Sequence, residues 1–468
     1  MASHEFLICA AHKSSGKTTL SIGLIRALRN AGLSVQPGKK GPDYIDPMWL
    51  ASAAGRPCYN YDFNTQTEEE IAALFASTDA DVRLIEGNKG LYDSVDVEGR
   101  YSSAALARLL AVPVVLVLDT EGITRGVAPL LCGYRDFEDI DIAGVILNRT
   151  AGPRHEDKLR AAVERYTDIP VLGTVRRNVE LTIRERHLGL VPSNEHRETA
   201  RVIDAIAAEI GRAVDLDRLL EVTAAAAPRA STRALGETFD GTGITIAVAR
   251  DKAFGFYYPD DLERMARCGM RVIDFSPLDD DTLPTCDALF IGGGFPENFA
   301  GALAANERMR RAVRDFAAAG GPVYAECGGL MYLARELEVD GVRHPMAGVI
   351  PASVTMRDAP VGRGLVRIAP RAGHPWRRGE SGDAVNAHEF HYSALVEADQ
   401  PLEYAFDVVR GHGADGARDG IVVGNTLAAY VHQRHTAGNP WIRDFARFIH
   451  QLQRPGGRDV DQAHRSSG

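Results

Sequence analysis

The stretch YAECGGLMYL, residues Tyr324–Leu333, closes the apolar run GGPVYAE and sets one cysteine between a glutamate and two glycines. Gly328 and Gly329 tolerate backbone angles closed to other residues. The stretch therefore predicts a strand that turns abruptly into an apolar helix, LMYLARELE, with Cys327 at the corner, side chain out. An α/β fold presents a nucleophile in this way. A buried structural cysteine ahead of a Gly-rich turn would read the same, so the decision falls to the rest of the chain.

Working outward, short β-branched runs alternate with helical patterns from the start: EFLICAA, LSIGLIRALRNAG, VRLIEG, SAALARLLA, PVVLVLDT, IAGVILN and HEDKLRAAVERY. That rhythm predicts an α/β class with a parallel sheet covered by helices. The segment TAAAAPRASTRALGETFDGTG has no apolar period and reads as a linker over residues 224–243. A second strand-and-helix series follows, through ITIAVARD, RVIDFSP, ALFIGGG, PVYAEC and AAYVH. The expected organisation is an N-terminal domain over 1–223, a C-terminal domain over 244–453 and a disordered tail over 454–468. The length of 468 residues suits two or three domains.

Lys and Arg number 53 against 63 Asp and Glu, a formal charge of −10, so no global basic field exists to hold nucleic acid or an acidic membrane surface. Small-molecule work is expected. The six cysteines form no CxxC pair, which argues against zinc or a disulfide framework and fits a reducing cytoplasm. The apolar N-terminal patch is too short for a signal peptide, and no apolar run long enough for a membrane span follows.

In AAHKSSGKTTL, Ala11 to Thr18 match the phosphate-loop pattern GxxxxGK[ST], except that Ala11 stands where the first glycine belongs. Backbone N–H groups of Ser14, Ser15 and Gly16 and of the helix start at Thr18 and Thr19 would cradle phosphates. Lys17 would neutralise their charge, and the Thr18 hydroxyl would ligate Mg²⁺. The alternative is a Ser/Gly-rich helix cap with a solvated lysine. GPDYIDP offers Asp43 and Asp46, and IEGNKGLYDS offers Glu86 and Asp93, as carboxylates at strand ends beside the loop. Asp46 before Pro47 can equally be a turn former and Asp93 a surface cap, which leaves Asp43 and Glu86 as the preferred metal partners. Asp119, ending PVVLVLDT, is the alternative acid.

These motifs, taken with SSAALARLL, GVILNR, ERHLGLVP, VARDKAFGFYYPDDL, GGGFPE, HEFHYS and AAYVH in one order, resemble the cobyrinic acid a,c-diamide synthase family nearly end to end. The resemblance implies a dethiobiotin-synthetase-like P-loop domain followed by a class I glutamine amidotransferase α/β domain. It implies amidation of tetrapyrrole carboxylates with ATP, Mg²⁺ and L-glutamine, with no nucleic acid or membrane partner and with a homodimer allowed. By position it makes Cys327 the glutaminase nucleophile and His432 its base, with an oxyanion hole from Gly328 and from Gly293 or Gly294. Tyr44, Asp43, Glu86 and Asp93 fall where ATP and substrate residues fall, and Asn148 resembles a base-recognition asparagine.

Two departures stand out. His432 is followed by Gln433 and Arg434, where class I glutaminases often carry His-x-Glu, so a dyad or an orienting group from elsewhere is implied. HQRH and EGNKG differ from the usual family patterns at places where substrate could be sensed, which keeps siroheme, or another sirohydrochlorin derivative, as the alternative to a corrin. Arg177, Arg184, Arg186 and His187 can pair with a polycarboxylate or be surface residues. His388, Glu389 and His391 are expected at a packing or substrate edge and not around a metal, because they alternate faces of a β-like stretch.

Overall fold

The computed structural model describes residues 3–177, 185–186, 189–194, 198–225, 238–377 and 382–454. The chain divides into two compact units, Met1–Leu235 and Gly236–Gly468. Most of the expected linker, residues 226–237, lies outside the described residues, as does the tail from 455. The Ala225 N–H still donates to the Ser3 carbonyl, and the Gly241 N–H already donates to the Cys268 carbonyl. No described helix is long and apolar enough to cross a membrane.

The first unit holds a seven-stranded sheet in the order Tyr59–Tyr61, Val35–Lys40, Val82–Glu86, His4–Ala10, Val114–Asp119, Ile142–Thr150, Val171–Arg176. All of its pairings are parallel. Its strands are buried along nearly their whole length, as a sheet covered on both faces requires, and that is why they read as continuous apolar runs. The phosphate-loop segment leaves the carboxyl end of His4–Ala10, a central strand, and enters the helix Lys17–Asn30. The ends carrying Lys39, Glu86 and Asp119 flank it, and the carboxyl ends of parallel strands are where such sheets bind ligands.

The second unit is built on a nine-stranded sheet. Arg271–Phe275, Thr245–Ala249, Ala288–Ile291, Val323–Glu326 and Thr426–Ala429 run parallel. The sheet then continues antiparallel through Arg418–Val423, Glu403–Arg410, Gly362–Pro370 and Val385–His391. One face of the parallel half packs Ala247, Leu289, Val323 and Ala325; the other packs Val248, Phe290, Tyr324, Trp441 and Phe445.

The structure corrects the helix expected over LMYLARELE. Only Gly328–Leu333 is helical, and Ala334–Val339 is a strand of a separate four-stranded sheet. Within it Ala334 and Leu337 are buried while Glu336 and Glu338 are only half-buried.

Candidate functional site

In the first unit the phosphate loop is held open by backbone shape. Ser14 and Gly16 have φ of 63° and 83°, and a Cβ on Gly16 would stand 2.4 Å from Asn148 Nδ2. Asn148 donates to the Ser15 carbonyl at 2.8 Å, so it fixes the loop from a strand two places away in the sheet. Lys17 is buried, and its Nζ donates to the Lys89 carbonyl at 2.6 Å. Burial, more than the nearby Lys39, holds its pKa below the ordinary lysine value.

Behind the loop lies a buried ionic cluster. Thr18 Oγ1 donates to Glu86 Oε1 at 2.8 Å and stands 3.5 Å from Asp46 Oδ2. Lys39 Nζ lies 2.5 Å from Asp46 Oδ2, 2.7 Å from Glu86 Oε1 and 3.9 Å from Asp43 Oδ2. Burial alone would pull the lysine down, but those carboxylates together keep it charged, well above its ordinary pKa. Asp43 also accepts from the Ile45 and Asp46 N–H groups, at the start of the helix Ile45–Ala54, which Tyr44 precedes. Desolvation and the Asp46 carboxylate push its pKa up. Glu86 Oε2 is buried with no hydrogen-bond partner.

The expected carboxylates Asp43, Asp46 and Glu86 are thus brought together with Thr18. Asp93 folds back onto the Gly90 N–H at 2.8 Å, and Asp119 is engaged by Arg149 at 2.5 Å. Arg177 is exposed and pairs with Glu121. Arg184 and His187 lie outside the described residues, as does the side chain of Arg186.

In the second unit Cys327 sits between the strand Val323–Glu326 and the short helix, at φ 47° and ψ −100°, the sharp corner the sequence implied. Its side chain is not out in solvent: the residue is 6% exposed, with Sγ 3.9 Å from the Phe390 carbonyl oxygen of the strand Val385–His391. Burial first, and Glu297 second, push the thiol pKa well up. That environment favours the neutral thiol over the thiolate. A Cβ on Gly293 would stand 2.5 Å from His432 Cε1, and one on Gly328 would stand 3.0 Å from the Gly294 amide nitrogen. The glycines expected at an oxyanion hole, the base and the nucleophile thus crowd together at one end of the sheet.

Around His432 the packing is polar and close. Its ring stacks on that of His388 at 4.8 Å and 14°, and His388 Nδ1 lies 3.3 Å from Tyr258 Oη. Glu326 Oε2 stands 3.5 Å from His432 Nδ1, while Glu326 Oε1 accepts from Tyr324 Oη at 2.6 Å and from the Gln433 N–H at 2.9 Å. Gln433 Nε2 completes the ring of bonds by donating to Tyr324 Oη at 2.9 Å.

Residues 6–191 match the nucleotide-binding domain family described as CobQ/CobB/MinD/ParA, and residues 245–440 match the CobB/CobQ-like glutamine amidotransferase domain. The cobyrinate a,c-diamide synthase of Magnetococcus marinus is 43% identical over 95% of this chain and 97% of its own. Those of Methanosarcina acetivorans and Syntrophotalea carbinolica are 38% and 39% identical, over 91% and 94% of this chain and 91% and 97% of theirs. The chain belongs to the cobyrinate a,c-diamide synthase family. Its first unit is accordingly a nucleotide-binding domain that uses ATP, and its second a glutamine amidotransferase domain.

Family membership places the HQRH departure in a different light. Gln433, Arg434 and His435 are all buried and internally bonded. The Arg434 guanidinium pairs with Asp260 at 2.8 Å and lies over the Tyr258 ring, and the His435 N–H donates to Asp261. Among the described residues no three His, Cys, Asp or Glu side chains gather as a metal site. In HEFHYS, His388 backs His432, whereas Glu389 accepts from the His412 and Gly413 N–H groups.

Two residues beside these sites escaped the sequence reading. Lys39 stands in GKKGPDYIDP directly before the motif that was quoted, and two consecutive lysines closing a buried strand were its only signal. Glu326 sits inside the opening decapeptide. His388, expected at a packing or substrate edge, packs on the His432 ring.

Proposed function

We propose that this chain is a carbon–nitrogen ligase that converts the a and c acetate carboxylates of a cobyrinic- or hydrogenobyrinic-type acid into carboxamides, with ATP and glutamine as co-substrates. The observation that carries it is the pairing, in one chain, of a phosphate loop backed by Glu86 with a strained Cys327 corner faced by His432. The relatives named above supply the substrate class. They favour the corrinoid over siroheme.

A carboxylate resists ammonia because its carbon is shielded by charge and hydroxide leaves badly. Transfer of the ATP γ-phosphoryl group to the carboxylate makes an acyl phosphate, which removes both obstacles, and Lys17 offsets charge on the transferring group. Thr18 and Glu86, with Asp43, have the oxygen chemistry to hold Mg²⁺, and the unpartnered Glu86 Oε2 fits a cation. When bound, Mg²⁺ supplies further charge neutralisation at the phosphates.

At the second site the Cys327 thiol passes its proton to His432 as sulfur attacks the glutamine amide carbon. The imidazolium returns the proton to the departing nitrogen, and ammonia leaves as the thioester forms. N–H groups of Gly328 and of Gly293 or Gly294 would take the oxyanion. All six cysteines are free, which supports a reducing, cytoplasmic setting.

The test is incubation of the purified protein with ATP, Mg²⁺ and glutamine, separately with cobyrinic acid, hydrogenobyrinic acid, siroheme and sirohydrochlorin. Mass spectrometry then follows replacement of OH by NH₂ at each carboxyl. Amidation of a corrinoid is expected; amidation of siroheme alone would overturn the substrate assignment.

A further inference from the structure

We propose that Glu326 is the positioning residue for His432, supplied by the strand that carries the nucleophile instead of by the segment that carries the base. This rests on the glutaminase role given to Cys327 and His432. The residue two after His432, where a glutamate would ordinarily stand, is Arg434, and its guanidinium is committed to Asp260 and to the Tyr258 ring. A cation there can accept nothing from an imidazole.

The fold brings a carboxylate to the same place by another route. Val323–Glu326 and Thr426–Ala429 are neighbouring parallel strands with Glu326 opposite Ala429, so both chains leave the sheet at the same end. Three residues beyond Ala429 comes His432. Side chains alternate along a strand, so Val323 and Ala325 join one core while Tyr324 and Glu326 face the other side, where His432 lies. Cys327 then breaks the alternation with its positive φ, which lets adjacent residues contribute to one site.

Glu326 is also fixed. Tyr324 Oη and the Gln433 N–H hold Oε1 at 2.6 and 2.9 Å, leaving Oε2 at 3.5 Å from Nδ1 of His432. That separation is long for a hydrogen bond, and catalytic contacts of this kind tighten when substrate is bound. With Nδ1–H directed at Glu326, the neutral imidazole keeps Nε2 as acceptor for the thiol proton, and the carboxylate stabilises the imidazolium that forms without itself taking the proton. His388 also stacks on the face of the His432 ring, and the Gly293 backbone lies at its edge.

The test uses Glu326→Gln, Glu326→Asp, Cys327→Ser and His432→Ala in the full-length protein, with three readouts: ammonia release from glutamine, amidation driven by ammonium salt, and the thermal midpoint. Glutamine at 326 can still accept from the Gln433 N–H, but it turns a donor towards Nδ1 and favours the wrong tautomer. We expect kcat for glutamine hydrolysis to fall by about 100-fold or more with KM for glutamine little changed. The midpoint and ammonium-driven amidation should hold, and Glu326→Asp should recover part of the loss. A Glu326→Gln turnover near the wild-type value, with Cys327→Ser and His432→Ala inactive, overturns the role of Glu326 alone. Glutamine hydrolysis surviving in Cys327→Ser overturns the glutaminase assignment beneath it. A Glu326→Gln loss that appears as raised KM, or with a lowered midpoint and no recovery in Glu326→Asp, marks a merely structural residue and also overturns the proposal.

Discussion

Gly293→Ala is the most exacting perturbation the second site offers, because it adds one carbon and nothing else. Gly293 does not occupy the left-handed region, so alanine costs it no backbone strain. The added Cβ would stand 2.5 Å from His432 Cε1 and 3.3 Å from Phe256 Cβ. Carbon pairs settle at about 3.5–4.0 Å, so the imidazole or the strand Gly293–Gly294 must retreat by about 1 Å. The ring has little freedom to do so, being backed by the His388 ring at 4.8 Å and contacted by Glu326 at 3.5 Å.

Misplacing a catalytic group by about 1 Å costs on the order of 100-fold in rate, and overpacking costs about 1–3 kcal/mol in stability. The expected outcome is a loss of that order in ammonia release from glutamine, with amidation driven by ammonium salt retained. Glutaminase turnover within a few-fold of wild type would refute the placement of His432 against Gly293. Equal loss of both activities in a folded protein would refute the separation of the two chemistries.

Cys327→Ser should abolish glutamine-dependent amidation and spare the ammonium-driven reaction, measured side by side on one substrate, whereas Lys17→Ala should eliminate product from either nitrogen source. Glu86→Gln should raise the Mg²⁺ concentration needed for half-maximal amidation while glutamine hydrolysis assayed alone survives; an unchanged Mg²⁺ titration moves the cation away from Glu86. His374 is buried, and burial together with Arg377 pushes its pKa down to about 3 from 6.5. Between those values the unfolded chain binds a proton that the native histidine refuses, so stability is full above pH 6.5 and falls as pH drops towards 3. Each such group contributes a slope of up to about 1.4 kcal/mol per pH unit. His374→Gln should flatten the acid limb of the thermal midpoint against pH, and an unaltered limb would dismiss the assignment.

The parallel strands were legible in the sequence because a sheet buried on both faces needs unbroken apolar runs, as in His4–Ala10 and Val114–Asp119. The antiparallel half of the second sheet was not. Glu403–Arg410 mixes exposed and buried residues without a clean alternation. ARELEV misled because Leu333 and Leu337 continue a helical spacing that the chain abandons at Ala334. For the sites, Lys17, Thr18 and Cys327 could be read because one local segment sets their geometry. Lys39 meets Glu86, and Glu326 meets His432, only through strand pairing, which no local window contains. The burial of HQRH was not legible for a related reason: Arg434 pairs with Asp260, 174 positions away, and nothing in either segment announces that pair.

The face alternation of Val323–Glu326 also restricts how the length of this chain can vary. One residue inserted into that strand would exchange its two faces, sending the Glu326 carboxylate into the apolar side that now holds Val323 and Ala325 and turning Tyr324 away from Gln433. The same slip in Thr426–Ala429 would rotate His432 off the end of the sheet. Insertions and deletions are therefore excluded from these two neighbouring strands, whereas the turn at Asp340 and Gly341, which joins two strands of the separate four-stranded sheet, can absorb them.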